Sequence, residues 1–112
     1  MCGRFSLGAT TRVGQLFDLP NWPEKPPRYN IAPSQEVPAG IQNRETGARE
    51  YRPFRWGLVP SWADDLKLGQ KMINARAEGI ETKNAFRSSL RSKRCIVPAD
   101  GFYEWQKLPG TK

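Results

Sequence analysis

Apolar residues in this chain come in short runs broken by prolines and glycines, and no run keeps one period for long. Gly3–Ser6 opens as a strand candidate. Val13, Leu16 and Phe17 then fall at i, i+3 and i+4, which gives a short helix one apolar face, with Thr10 or Thr11 as its cap and Leu19-Pro20 as its end. The three prolines within Asn21–Pro27 force an extended surface connection. Arg28-Tyr29-Asn30-Ile31-Ala32-Pro33 reads as a short extended segment closed by proline. Glu36–Gln42 and Arg49–Phe54 read as two strands joined over Asn43–Ala48, where Gly47 supplies the turn.

Phe54-Arg55-Trp56-Gly57-Leu58-Val59-Pro60-Ser61-Trp62 is the most aromatic stretch, and Gly57 and Pro60 make it a poor strand past Val59. Asp64–Gln70 is polar and reads as a loop, while Met72–Glu78 is short and ambiguous. Thr82 or Asn84 can start a helix with Ala85, Phe86 and Leu90 on one face and Arg87, Arg91, Lys93 and Arg94 elsewhere. Arg94–Pro98 and Gly101–Lys107 read as strands around the turn Ala99-Asp100-Gly101. Leu108-Pro109-Gly110-Thr111 then resembles a hairpin turn that lacks a returning strand. Because an unpaired edge is a liability that complete domains avoid, residues 1–112 are expected to be the first part of one longer domain, or to pair with a second copy. The pattern itself predicts short strands and short helices in an incomplete domain.

Composition narrows the partners. The 112 residues allow at most one small domain, and ten glycines with ten prolines favour loops and irregular extended segments. Eighteen Lys and Arg against eleven Asp and Glu leave a net charge of +7, which favours a polyanion, most simply nucleic acid, with an anionic membrane surface also open. No apolar run has the length of a transmembrane helix and no signal-peptide core follows the start, so a cytoplasmic, nucleoid-associated location is expected. Two cysteines without any histidine argue against a structural zinc site and against Ser-His-Asp or Cys-His catalysis within these residues. Cys95, in the apolar run Cys95-Ile96-Val97, is expected to be buried packing.

Four constellations could carry chemistry. Cys2 follows the initiator methionine, and cysteine is small enough to permit removal of Met1. The exposed end would then be an aminothiol, a pair of groups that ordinarily titrate close to neutrality. Such a pair condenses with an aldehyde to an imine and closes through sulfur to a thiazolidine; the plain alternative is a cysteine there by chance. Arg4 shares a strand face with Cys2 and would favour its thiolate. Asn74 and Arg76, two apart in Asn74-Ala75-Arg76, would project together in an extended segment and offer an amide and a guanidinium to one phosphate or sugar, or would merely be solvated. In Ala99-Asp100-Gly101-Phe102-Tyr103-Glu104-Trp105, Glu104 lies between aromatics and is a candidate for the desolvation that suits a general acid or base, against an exposed carboxylate paired with a cation. Finally, Arg28-Tyr29, Arg55-Trp56, Trp62 and the Arg87–Arg94 cations interleave charge with aromatics, as single-strand binders do, although Trp56 and Trp105 are expected in the core.

Taken together, Met1-Cys2-Gly3-Arg4-Phe5, Arg28–Pro33, Trp56–Trp62, Asn74-Ala75-Arg76 and Ala99–Trp105 resemble the SRAP family, the SOS-response-associated peptidases or abasic-site processing proteins. The resemblance implies a mixed α+β fold, mainly antiparallel β with short helices, around a DNA-binding cleft, and covalent capture of abasic sites in single-stranded DNA. Carried over by position, Cys2 is implied as the nucleophile, Glu104 as the proton-transfer group, and Asn74 and Arg76 as holding the sugar and adjacent phosphate. Arg4, Asn30, Pro33, Trp56 and Trp62 are implied to line the DNA path. The family name adds a proposed peptidase role, with self-removal of Met1 as one form of it, and no cofactor, metal or membrane is expected. An N-terminal-nucleophile peptidase acting without DNA, and a non-covalent basic single-strand module, are the alternatives. The family's histidine belongs to a later His-Asp-Arg motif outside these residues, so the resemblance covers about the N-terminal half of the family's domain.

Overall fold

The structure is a computed structural model that describes residues 2–8 and 12–110. The expected Thr10 or Thr11 cap and residue 111 of the terminal turn lie outside the described residues. The architecture is α+β, with antiparallel pairing in every sheet and short helical pieces. In chain order the elements are β1 (Phe5–Leu7), α1 (Val13–Leu16), β2 (Arg28–Ile31), β3 (Glu36–Val37), β4 (Gly40–Gln42), β5 (Arg49–Tyr51), β6 (Phe54–Arg55), a 3₁₀ turn (Leu66–Gln70), α2 (Arg87–Ser92) and β7 (Gly101–Phe102).

The N-terminal strand is the middle of the principal sheet, whose order is β2-β1-β7. Phe5 pairs with Ile31 on one side and with Phe102 on the other. Alternation along β1 buries Phe5 and Leu7, which join Val13, Ile31 and Val37 in the core. Cys2, Phe17, Trp22 and Trp56 pack on that cluster from its rim. The Phe5 and Trp56 rings lie 5.5 Å apart at an interplanar angle of 55°, a tilted aromatic contact.

The expected hairpin forms, but as two ladders. β3 pairs with β6 and β4 with β5, in a register that runs on unbroken from Glu36↔Arg55 to Gln42↔Arg49. Pro38 and Pro53 therefore face each other across the gap, at a non-hydrogen-bonded position where a ladder needs no N–H from either. The Arg52 N–H bonds the Ala39 carbonyl (2.8 Å) and resumes the pairing. Beyond β4 and β5, Gly47 turns the chain with φ of 73°.

Several expectations need correction. The apolar face of α1 is incomplete: Val13 is buried and Phe17 packs on the core, but Leu16 is 69% exposed because the helix is a single turn. Asp64–Gln70 is not all loop, since the Asp65 carboxylate accepts the Lys67 N–H (2.9 Å) and caps the 3₁₀ turn. The second helix starts at Arg87, so Ala85 and Phe86 precede it. Arg94–Pro98 holds one bridge, Ile96 to Gly40, and not a strand. With a single bridge there and no second layer over it, Cys95 is exposed and not buried packing. The last strand ends at Phe102, because β1 begins at Phe5 and offers nothing further except the Arg4 carbonyl, which accepts the Tyr103 N–H (2.9 Å). Trp105, expected in the core, is therefore wholly exposed at 101%.

Among the described glycines, Gly57 leaves the least room for a side chain. Its φ of 125° lies where side chains are strained, and a Cβ there would fall on the Gly69 carbonyl oxygen. Gly57→Ala is expected to destabilise the fold by about 2 kcal/mol, the scale of one strained backbone position, read as a lowered midpoint in thermal unfolding.

Candidate functional site

Of the residues singled out by the sequence, Cys2, Arg4, Asn30 and Glu104 lie on or beside β1 and its two neighbours. Cys2 precedes the strand and is half-buried, with its thiol directed at the Arg4 carbonyl (Sγ···O 3.4 Å). Because the strand begins only at Phe5, Cys2 and Arg4 do not share a strand face as expected. What fixes Cys2 is Asn74, whose side-chain amide donates to the Cys2 carbonyl at 2.8 Å across 72 residues of sequence. The segment carrying Asn74 has no regular secondary structure, so its place is set by this bond and by its neighbour Ile73, whose carbonyl accepts the Trp56 indole N–H (2.8 Å).

Cys2, Trp56, Asn74 and Glu104 line one wide, open groove of about 1450 Å³. Its walls are largely apolar, with Phe54, Leu58, Val59, Met72, Phe86 and Phe102 among the lining residues. Glu104 is exposed to the groove, so the desolvation expected from its aromatic neighbours does not occur. Arg4, also exposed, donates from Nη1 to the Asn30 Oδ1 (3.0 Å), which joins the start of β1 to β2 in a polar rim, and neither residue is among those lining the groove. Arg76, Pro33 and Trp62 are not among the groove-lining residues. Arg76 is exposed, Pro33 is half-buried after β2, and Trp62 is 62% exposed in the turn closed by the Ala63 N–H on the Pro60 carbonyl (3.0 Å).

Cys95 opens onto the same groove. Although its side chain reaches solvent, the groove wall desolvates it enough to push its thiol above the ordinary value. Its thiolate is thereby disfavoured. Among the described residues, no group of three or more His, Cys, Asp or Glu side chains is placed to hold a metal, and no helix is long and apolar enough to cross a membrane.

Two supports escaped the sequence reading. Asp100, noted only as part of a turn, accepts the Ser6 hydroxyl (2.6 Å) and the Gly8 N–H (2.5 Å), and so clamps the far end of β1 to the start of β7. An aspartate before glycine signalled the turn, but nothing local signalled the partner. Tyr103 donates its hydroxyl to the Tyr29 carbonyl (2.8 Å), bridging the β7 extension to β2 over the top of β1.

The antiparallel framework thus holds Cys2, next to Met1 in sequence, against an asparagine amide in a groove that a glutamate also lines. The family model described as SOS response associated peptidase (SRAP) matches residues 1–112, and the chain belongs to that family. It is 50% identical to the abasic site processing protein YoaM of Bacillus subtilis (strain 168), over 96% of this chain and 48% of the relative. Against the abasic site processing protein HMCES of Rattus norvegicus it is 38% identical, over 99% of this chain and 38% of that protein. The chain thus spans about half the length, or less, of these curated relatives. A crystal structure of a Bordetella bronchiseptica protein superposes with a TM-score of 0.70 at 24% identity, covering 92% of this chain and 50% of that one, a likeness of fold alone.

Two outcomes follow from this geometry. Asp100→Ala removes both clamp bonds and is expected to cost about 1–2 kcal/mol, the low end for hydrogen bonds to a charged group in an exposed place, measured by denaturant unfolding. Iodoacetamide labelling mapped by peptide mass spectrometry should find Cys95 slower than an unstructured cysteine peptide at neutral pH. The gap should close as pH rises past the ordinary thiol range, because only the thiolate reacts.

Proposed function

We propose that this protein captures abasic sites in single-stranded DNA through Cys2, forming a covalent thiazolidine crosslink. The observation that carries the reading is the Asn74 amide on the Cys2 carbonyl, which presents a half-buried cysteine to the groove that Glu104 also lines. The names of the curated relatives, abasic site processing proteins, support the same substrate.

In this reading Met1 is removed and the α-amine of Cys2 attacks C1′ of the ring-opened deoxyribose. The nitrogen gives up two protons through Glu104, one to the carbonyl oxygen as the carbinolamine forms and one to the resulting hydroxyl as it departs, so that water leaves and an imine forms. The Cys2 thiolate then adds to the same carbon, the imine nitrogen takes up a proton, and the five-membered ring closes. Asn74 and Arg76 hold the sugar and the neighbouring phosphate, the guanidinium by charge-assisted hydrogen bonds. Arg4 and Asn30 at the rim, with Pro33, Trp56 and Trp62, guide the strand. The protein would act where damaged DNA is found, at the nucleoid.

Crosslinking to an abasic single-stranded oligonucleotide, resolved on a denaturing gel, tests the reading. Wild type should give a gel-stable product, Cys2→Ser at most a weak reversible adduct, and Glu104→Gln a rate lowered by about 100-fold, the lower range for a lost general acid–base group. Equal product from Cys2→Ser and wild type would sink it. A peptidase reading, for which the family description speaks, predicts instead that Cys2 governs peptide cleavage in the absence of DNA. Mass spectrometry of the mature N-terminus separates both from a chain that retains Met1, which has no aminothiol to offer.

A further inference from the structure

The segment from Arg87 to Arg94 carries four cations and no acid. Arg87 and Arg91 are one helical turn apart on α2, on the same face, with Cβ atoms about 6 Å apart. Together with Leu90, Arg94 and Glu81 they line a separate notch of about 280 Å³. Arg94 is held in place by its Nε–H on the Leu90 carbonyl (2.7 Å), a bond that leaves the terminal amino groups of the guanidinium available. Neither Arg87 nor Arg91 makes a side-chain hydrogen bond or ion pair among the described residues, and both are exposed.

This pair shares its unengaged state with Arg55 and Arg76, which are exposed and make no side-chain hydrogen bond or ion pair among the described residues, and differs from several other surface arginines. Arg28, Arg44 and Arg49 each spend their guanidinium on a backbone carbonyl of a neighbouring segment. Arg87, Arg91 and Arg94 share the notch with a single carboxylate, Glu81, which offsets their mutual repulsion only in part and leaves an excess of positive charge that a further anion would relieve. The notch also has a direction. Arg94 lines both it and the large groove that contains Cys2, as α2 forms the wall between the two.

We propose that the α2 notch is a second anchor for the DNA backbone: a strand leaving the Cys2 groove past Arg94 lays consecutive phosphates on Arg91 and Arg87. This rests on the reading of single-stranded DNA as partner, but not on the crosslinking chemistry. The contacts are to phosphate, so they add affinity and direction without sequence preference.

The test is binding of an undamaged fluorescent oligo(dT) to the protein by anisotropy across a salt series, where no aldehyde is present and crosslinking plays no part. Arg87→Gln/Arg91→Gln keeps helix propensity and side-chain length while removing both charges. It should weaken binding several-fold and make the slope of log affinity against log salt shallower by about 1.4, at roughly 0.7 per lost single-strand phosphate contact. The control Lys67→Gln/Lys71→Gln removes the same charge from residues outside the notch and should leave the slope within error of wild type. Equal flattening in both doubles, no flattening in the arginine double, or no binding of undamaged DNA by wild type would each overturn the anchor. Circular dichroism of both doubles confirms that the fold is retained. If crosslinking fails while the arginine double alone flattens the slope, the anchor stands and only the chemistry is wrong.

Discussion

The site depends on one strand being paired on both sides. Phe5 is held by Ile31 and by Phe102 through the main chain and buried against the core and Trp56 through its side chain. Cys2 lies three residues before it and Glu104 two residues after its partner. The antiparallel register, carried one step further by the Tyr103 N–H on the Arg4 carbonyl, leads Glu104 back along the same path that leads outward to Cys2. The cysteine and the glutamate thus come to line one groove because of where a phenylalanine is buried. Neither has a rigid element of its own. Their relation is inherited from the sheet, and the Asn74 bond trims it at the N-terminal end.

How much of this was legible in the sequence follows from the range of each interaction. The hairpin over Asn43–Ala48 could be read because its signals are local: alternation, a glycine at positive φ, and strands of matching length. Grouping of Cys2, Asn74 and Glu104 was reached only through family resemblance, since their separations in sequence carry no geometric information. Trp105 and Cys95 were misplaced for one reason. An apolar run was equated with burial, yet burial needs a covering layer, and among the described residues none lies over Ile96 or past Phe102. Asp100 shows the opposite failure, a polar residue with an ordinary local explanation whose principal partners, Ser6 and Gly8, are more than ninety residues away.

The positive charge is likewise not one property. Several guanidinium groups tie loops together: Arg28 reaches the Glu36 carbonyl and the Gln35 side chain, Arg49 reaches Phe17, and Arg44 reaches Ser92. A fold with few buried side chains gains from such long, many-pronged donors, which satisfy carbonyls that no strand partner covers. The net charge of +7 therefore overstates the surface free to meet a polyanion, and a formal count says little about where such a partner would lie.

The facing prolines at Pro38 and Pro53 have an effect on what the hairpin can meet from outside. Two short ladders in one register make a ribbon whose edges are covered at Gly40 by Ile96 and at Tyr51 by Asn21, and whose remaining edge positions are the kind of surface that recruits a stranger's backbone. A matched pair of donorless residues at its midpoint leaves each edge with a gap in its hydrogen-bonding teeth. The hairpin so keeps its length for shaping the groove while being a poor template for self-association.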